Sequence, residues 1–337
     1  MLKPETIAIH STKNTSDDVE SVSTPIHLST TYIRNEGGDF TNDYRYSRLD
    51  NPNRRILEKC LASLEKGKVS YAFSSGMAAI HALFQSFKSG DHIVIPDDLF
   101  FNVKMLLDEV FNQWGLEYTS VDMSNVDRVT EAIKPNTRLV WIETPSNPQL
   151  KITDIKKVAE IAKQHGLLVA VDNTWLTPVL QNPIDLGADI VMHSTTKYFG
   201  GHSDVVGGCL ILKENDELSR KIKRIQILAG SIPSPFDCWL ITRGIKTLAL
   251  RVKEQSRSAK RLAEYLEDHP KIAGVNYPGL ASHAGHSIAK NQLSHGYGAM
   301  LSVLVHGDEN EAIRISNQLN LFTRATSLGG VESLVEH

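Results

Sequence analysis

The chain has 337 residues, 41% apolar and 22% charged, an ordinary globular composition with room for about two domains. Its 36 lysines and arginines against 39 acidic residues give a net charge of −3, so no cationic surplus is left to displace counterions from a phosphate backbone, and nucleic acid is excluded as the main partner. No run approaches the roughly 18 apolar residues of a membrane span, and Met1 to Asn14 lacks the apolar core of a signal peptide, so a cytoplasmic protein with no membrane partner is expected.

Up to about Pro52 the sequence is rich in Ser, Thr, Asn and Asp and has few apolar repeats. It reads as an extended arm without a core of its own, which must lie on something else, such as a second copy of the chain. Regular alternation then begins. The patterns predict a helix from Ile56 to about Leu64, a strand at Val69–Ser74, a helix at Met77–Phe87 and a strand at His92–Pro96. A helix at Phe100–Gln113, a strand at Glu117–Val121, a helix at Val126–Ile133 and a strand at Arg138–Glu143 follow. Asp154 is placed to cap a helix over Ile155–His165, and the strand Leu167–Val171 is too apolar to face water on either side. Strands at Ile190–Met192 and Gly208–Leu212 precede a helix-rich stretch from Glu214 to about Asp268, broken near Ser231–Pro235. A strand at Ala299–Val305 and a helix at Glu311–Leu319 suit a small α+β unit. Fully apolar short strands between helices require a mostly parallel sheet covered on both faces, hence an α/β fold.

Ligands of such sheets bind beyond the carboxyl ends of the strands. Four ends carry polar residues. At Ser74-Ser75-Gly76-Met77 a glycine opens a helix where backbone N–H groups can meet a phosphate, although the same residues also make a plain turn. Glu143-Thr144-Pro145-Ser146-Asn147-Pro148 is rich in hydrogen-bonding groups, as a tight surface loop also is. Asp172 ends an apolar strand, where a carboxylate needs a cation or serves as a helix cap. Lys197, among the hydroxyls of Ser194, Thr195 and Thr196, is either an ordinary solvated lysine or an amine desolvated into a nucleophile. Together the four ends supply a phosphate cradle, a partner for a pyridinium nitrogen and a Schiff-base lysine, the parts that pyridoxal 5'-phosphate needs. The three cysteines, Cys60, Cys209 and Cys238, form no CxxC pair and read as core fillers. His283, His286 and His295 lack acidic companions, so no metal is expected.

With these residues, and with Ala8-Ile9-His10, Tyr46-Ser47-Arg48 and Ser327-Leu328-Gly329-Gly330, the sequence resembles the Cys/Met metabolism branch of the fold-type I pyridoxal-phosphate enzymes. The resemblance implies a seven-stranded, mostly parallel sheet, with an arm at 1–55, a cofactor domain at 56–250 and a small C-terminal α+β domain at 251–337. It implies that Lys197 carries the cofactor and moves protons, that Asp172 holds the ring nitrogen, and that Ser194, Thr196, Gly76 and Met77 bind the phosphate. Tyr46 and Arg48 match the pair that reaches the neighbouring subunit's phosphate, Tyr46 also counting as catalytic. Asn147 and Ser327 match positions near the ring oxygen and the substrate carboxylate. The implied assembly is a homodimer as catalytic unit, paired again into a tetramer, acting on an amino-acid substrate.

The implied activity is γ-elimination or γ-replacement, with cystathionine γ-synthase or γ-lyase first. O-acetylhomoserine sulfhydrylase, methionine γ-lyase, cystathionine β-lyase and a cofactor-binding homologue with little catalysis are the alternatives. Three departures stand out. Phe100 occupies the place of a ring-stacking tyrosine, and Thr326 that of a glutamate which holds the distal amino group. His337 precedes the strand and helix that carry the family's carboxylate-binding arginine.

Overall fold

Branched apolar runs of four to seven residues, too short for helices, become strands of one sheet. The computed structural model describes residues 2–12, 21–40 and 43–337. The strands are β1 (Val69–Phe73), β2 (His92–Pro96), β3 (Glu117–Val121), β4 (Thr137–Glu143), β5 (Leu168–Asp172), β6 (Ile190–His193) and β7 (Gly208–Leu212), in the order β1-β7-β6-β5-β4-β2-β3. Only β7 runs against its neighbours β1 and β6. The other four pairings are parallel, so the carboxyl ends of β2, β4, β5 and β6 share one edge.

Helices cover both faces, as the apolar strands require. On one face α2 (Pro52–Glu65), α9 (Pro235–Ile245) and α10 (Leu248–Glu267) bury Leu57, Leu61, Ile241 and Val252 against Ala72, Val191 and Ile211. Farther along the sheet, α6 (Ile155–Gln164) packs Ile155 and Val158 on Val140, Val169 and Val171. On the other face α3 (Gly76–Phe84), α4 (Phe101–Leu106) and α8 (Glu217–Ala229) pack Ile80, Val103 and Ile222 against Phe73, Trp141, Ala170 and Met192. Each fully buried side chain of this kind contributes roughly 1.5–3 kcal/mol. Alternation along β5 and β6 sends Asp172 to the α3 face and His193 to the α2 face.

Several elements differ from expectation for local reasons. α2 starts at Pro52 because Asn51 caps it, accepting the Asn53 N–H. The α-helix expected to Gln113 ends at Leu106 and continues as a π turn, Leu107–Phe111, and a 3-10 turn, Asn112–Trp114. The arm begins with a helix, α1 (Pro4–His10), whose Ala8 enters the core. Residues 24–27 of the arm are pinned by polar side chains: Asn53 donates to Pro25 O (2.8 Å), Asn51 to His27 O (2.9 Å) and Trp239 Nε1 to Thr24 O (2.9 Å).

The remaining helices are α5 (Val126–Glu131), α7 (Thr177–Leu180), α11 (His286–Gln292) and α12 (Glu309–Asn317). Two small sheets close the chain: β8 (Ile272–Asn276) antiparallel to β9 (Ser302–Val305), and β10 (Thr323–Arg324) parallel to β11 (Leu334–Val335). The three cysteines are free and buried. No helix among the described residues is long and apolar enough to cross a membrane.

Candidate active site

The segment 194–207 leaves β6 at the shared carboxyl edge and returns as β7. Its first turn is held by Thr174, whose Oγ1 accepts the Ser194 N–H (2.9 Å), and by Lys197 N–H to Ser194 O (3.2 Å). This places the Lys197 side chain in a half-buried position, with Nζ donating to Ser327 Oγ at 3.2 Å. Burial lowers the Lys197 pKa, and the carboxylate of Glu336 opposes that shift. The result is an amine that sheds its proton more readily than a surface lysine.

One strand away, Asp172 closes β5 and accepts the Thr174 N–H at 3.0 Å. Burial pushes its carboxyl pKa up, and Thr174 together with His193 opposes the shift. No lysine or arginine pairs with it among the described residues. Glu143 stands directly across the β4–β5 register from Asp172. Its Oε2 accepts the Phe100 N–H at 2.9 Å, while its buried Oε1 has no hydrogen-bond partner. Burial first, then the charge of Asp172, drive its pKa well above the ordinary value. Two carboxyls this close do not both ionise easily, and Glu143, which feels the charge of Asp172 on top of its burial, is the more strongly raised of the two.

On the same edge Ser75 caps α3 by accepting the Ala78 N–H (3.0 Å), which leaves the N–H groups of Gly76 and Met77 outside the helix's own bonding. Gly76 is closely approached: a Cβ there would stand 3.1 Å from Ser194 Cβ and 3.1 Å from Met192 Cε, so both side chains would have to give way. The Ser194 side chain therefore lies beside the free N–H groups, and among the described residues no hydrogen bond engages its hydroxyl. Thr196 differs: its hydroxyl donates to Gly207 O (3.1 Å) and accepts from Gly207 N (3.0 Å), which leaves it no spare donor.

Half-buried Asn147 sits in a loop that Asp98 nails down, taking Ser146 Oγ and the Gln149 N–H (3.0 Å) on one oxygen. Phe100 caps α4 and is 41% exposed. Tyr46 and Arg48 lie apart from these groups. Arg48 Nη1 donates to Ile227 O (2.9 Å) and its Cζ stands 5.7 Å from the Tyr46 ring centroid, and among the described residues no hydrogen bond joins either to Lys197 or Asp172. Glu143 lies in a strand end singled out from the sequence, whereas Asp98 and Glu65 escaped that reading. Asp98 carried the one usable signal, a carboxylate just past a fully apolar strand.

An amine whose pKa burial lowers, a carboxylate with no lysine or arginine partner among the described residues and a cradle that a Cβ would crowd all fit pyridoxal phosphate. The fold and these groups define a pyridoxal-phosphate enzyme of fold type I. The sequence matches the family described as Cys/Met metabolism PLP-dependent enzyme over residues 5–337, and the chain belongs to that family. It is 46% identical over 335 residues to cystathionine gamma-synthase of Mycobacterium tuberculosis, covering 99% of this chain and 86% of that protein. It is 47% identical over 336 residues to cystathionine beta-lyase of Lactococcus lactis, covering 100% and 87%. It is 46% identical over 334 residues to cystathionine gamma-lyase of Bacillus subtilis, covering 99% and 87%. The crystal structure of cystathionine gamma synthase from Xanthomonas oryzae, in complex with aminoacrylate and cysteine, superposes with a TM-score of 0.95 at 38% identity, covering 99% of this chain and 86% of that one.

Proposed function

We propose that the chain is a trans-sulfuration enzyme that uses pyridoxal phosphate for γ-elimination or γ-replacement on a sulfur amino acid or an activated homoserine, with cystathionine γ-synthase or γ-lyase activity first. The observation that carries this reading is the half-buried Lys197 amine, held on Ser327 one strand from an unpaired Asp172. The relatives named above share the cofactor and differ in leaving group and nucleophile, so β-lyase, sulfhydrylase and methionine γ-lyase activities are the alternatives.

When bound, the cofactor supplies an electron sink for charge developing at the substrate Cα. Lys197 anchors it and, once released by substrate, takes and returns the Cα proton. Asp172 faces the ring nitrogen and holds its proton. Ser194 and the N–H groups of Gly76 and Met77 grip the phosphate, and Thr196 lines its edge. Phe100 covers a ring face and excludes water, while Asn147 and Ser327 orient the ring oxygen and the substrate carboxylate. Tyr46 and Arg48, on the surface of one copy, complete the phosphate site of a second copy. A homodimer is therefore the catalytic unit and a dimer of dimers the assembly. The boundaries near residues 55 and 250 separate the arm, the cofactor domain and the small domain, and the enzyme works in the cytoplasm.

Borohydride reduction of the loaded chain followed by peptide mass mapping is expected to place the adduct on Lys197, and an adduct elsewhere overturns the assignment. Cystathionine, homocysteine, methionine and O-acylhomoserines with cysteine then identify the reaction through thiol, ammonia or 2-oxo acid. Phe100 in place of a hydroxyl-bearing ring favours one second reading, a cofactor-binding homologue with little catalysis; absence of turnover on every substrate selects it.

A further inference from the structure

On the face of β5 and β6 opposite Asp172 lies another buried carboxylate, that of Glu65 at the end of α2. Its Oε1 is 2.6 Å from His193 Nε2 and accepts from Asn173 Nδ2 at 2.7 Å, and its Oε2 accepts from Asn182 Nδ2 at 3.3 Å. The Asn173 amide cannot be reversed, because its Oδ1 accepts from Gln181 Nε2 (2.9 Å) while its Nδ2 also donates to Gln181 O (3.0 Å). Both Glu65 oxygens thus accept amide N–H bonds, which favours the ionised carboxylate. A carboxylate this deep needs a counter-charge, and no lysine or arginine pairs with it among the described residues. Among the described residues, the imidazole of His193 is the one basic group paired with it. Its Nδ1 is buried without a hydrogen-bond partner, and the Phe199 ring packs edge-on at 4.8 Å.

His193 is the residue after Met192, and Met192 pairs with Asp172 in the β5–β6 register. The titratable groups around the imidazole are Glu65 from α2, Asp172 from β5 with Glu143 beyond it on β4, and Cys209, its register partner on β7. The Cys209 thiol pKa is driven well above its ordinary value by burial and then by Glu65, so the thiol stays neutral.

We propose that Glu65 and His193 form a buried ion pair whose imidazolium holds Asp172 ionised from behind the sheet, and so keeps a proton on the ring nitrogen that Asp172 faces. Both are positioning residues acting through Asp172. The proposal rests on the reading of Asp172 as the ring nitrogen's partner.

The test is nitrogen NMR on the chain loaded with pyridoxal phosphate that carries heavy nitrogen in its ring. In Glu65→Gln and in His193→Gln the pH at which the ring nitrogen loses its proton is expected to fall by about one unit or more. Loss of packing alone would lower the melting temperature and leave that titration in place. If Asp172→Asn moves the titration and the other two variants do not, this inference is overturned while the Asp172 reading stands. If Asp172→Asn leaves it unmoved, both fall. Should neither Glu65→Gln nor His193→Gln fold, the wild-type protein with labelled histidine decides: protons on both His193 ring nitrogens at neutral pH support the ion pair, and a proton on only one overturns it.

Discussion

Lys197 and Ser327, 130 positions apart in the chain, meet through a 3.2 Å hydrogen bond from Nζ to Oγ. The bond makes the segment around Ser327 part of the lysine's surroundings. Removing the acceptor in Ser327→Ala costs about 1 kcal/mol. In steady-state kinetics we expect KM for the amino-acid substrate to rise roughly five- to tenfold with kcat changed less. An unchanged KM excludes Ser327 from substrate binding.

The lowered pKa of Lys197 sets a direction with pH. Between its folded value and the ordinary lysine value, the unfolded chain holds a proton that the folded chain lacks, so the associated stability is lost as pH falls through the folded value. Capture of pyridoxal phosphate by the free amine, followed by absorbance, should level off at a pH below the ordinary lysine range. Glu336→Gln removes the charge that opposes the shift and should move the profile to still lower pH.

Asp172→Asn is expected to act with opposite signs on the empty and the loaded protein. A buried carboxylate with a raised pKa and no cation destabilises the empty chain as pH rises above the ordinary carboxylate range, and an amide removes that effect. With the cofactor bound, the amide cannot pair with a ring cation, and affinity should fall by about 3 kcal/mol or more. Thermal melts with and without cofactor test both signs, and a lower melting temperature in both states contradicts the account.

Gly208 begins β7 where a Cβ would stand 2.3 Å from Ser75 O and 2.6 Å from Gly76 Cα. Gly208→Ala must push the start of α3 away and should cost about 1–3 kcal/mol of stability. Equilibrium dialysis should show weaker cofactor binding although no proposed ligand has changed.

Phe100→Tyr returns a hydroxyl to the residue proposed to cover the ring. If that hydroxyl assists proton transfer, exchange of the substrate Cα proton with solvent deuterium should speed up by about tenfold or more. An unchanged exchange rate shows that Lys197 acts without such help.

Much of the sheet could be read from the sequence because its strands are short apolar runs with polar ends. His92–Pro96 and Gly208–Leu212 have the expected bounds, and Asp154 caps α6 as anticipated. β8 was missed because its residues are half-exposed and Gly274 interrupts the pattern, and α11 was hidden in a polar stretch. The site divides in the same way. Lys197 and Asp172 announce themselves as charges at the ends of apolar strands, whereas the Glu65–His193 contact joins residues 128 positions apart. Glu65 looks like any helix-terminal glutamate until α2 is laid on β6, and no local pattern encodes that packing.

β7 reverses direction beside β6, so the segment 194–207 starts and ends on adjacent strands and never crosses over the sheet. A tether fixed at both ends and fastened inside by Thr196 to Gly207 has little slack to lose when a ligand arrives. The segment therefore resembles a set trap more than a flexible glove. Lengthening the segment by even a few residues would restore the slack, and with it an ordering penalty that the cofactor would have to overcome each time it binds.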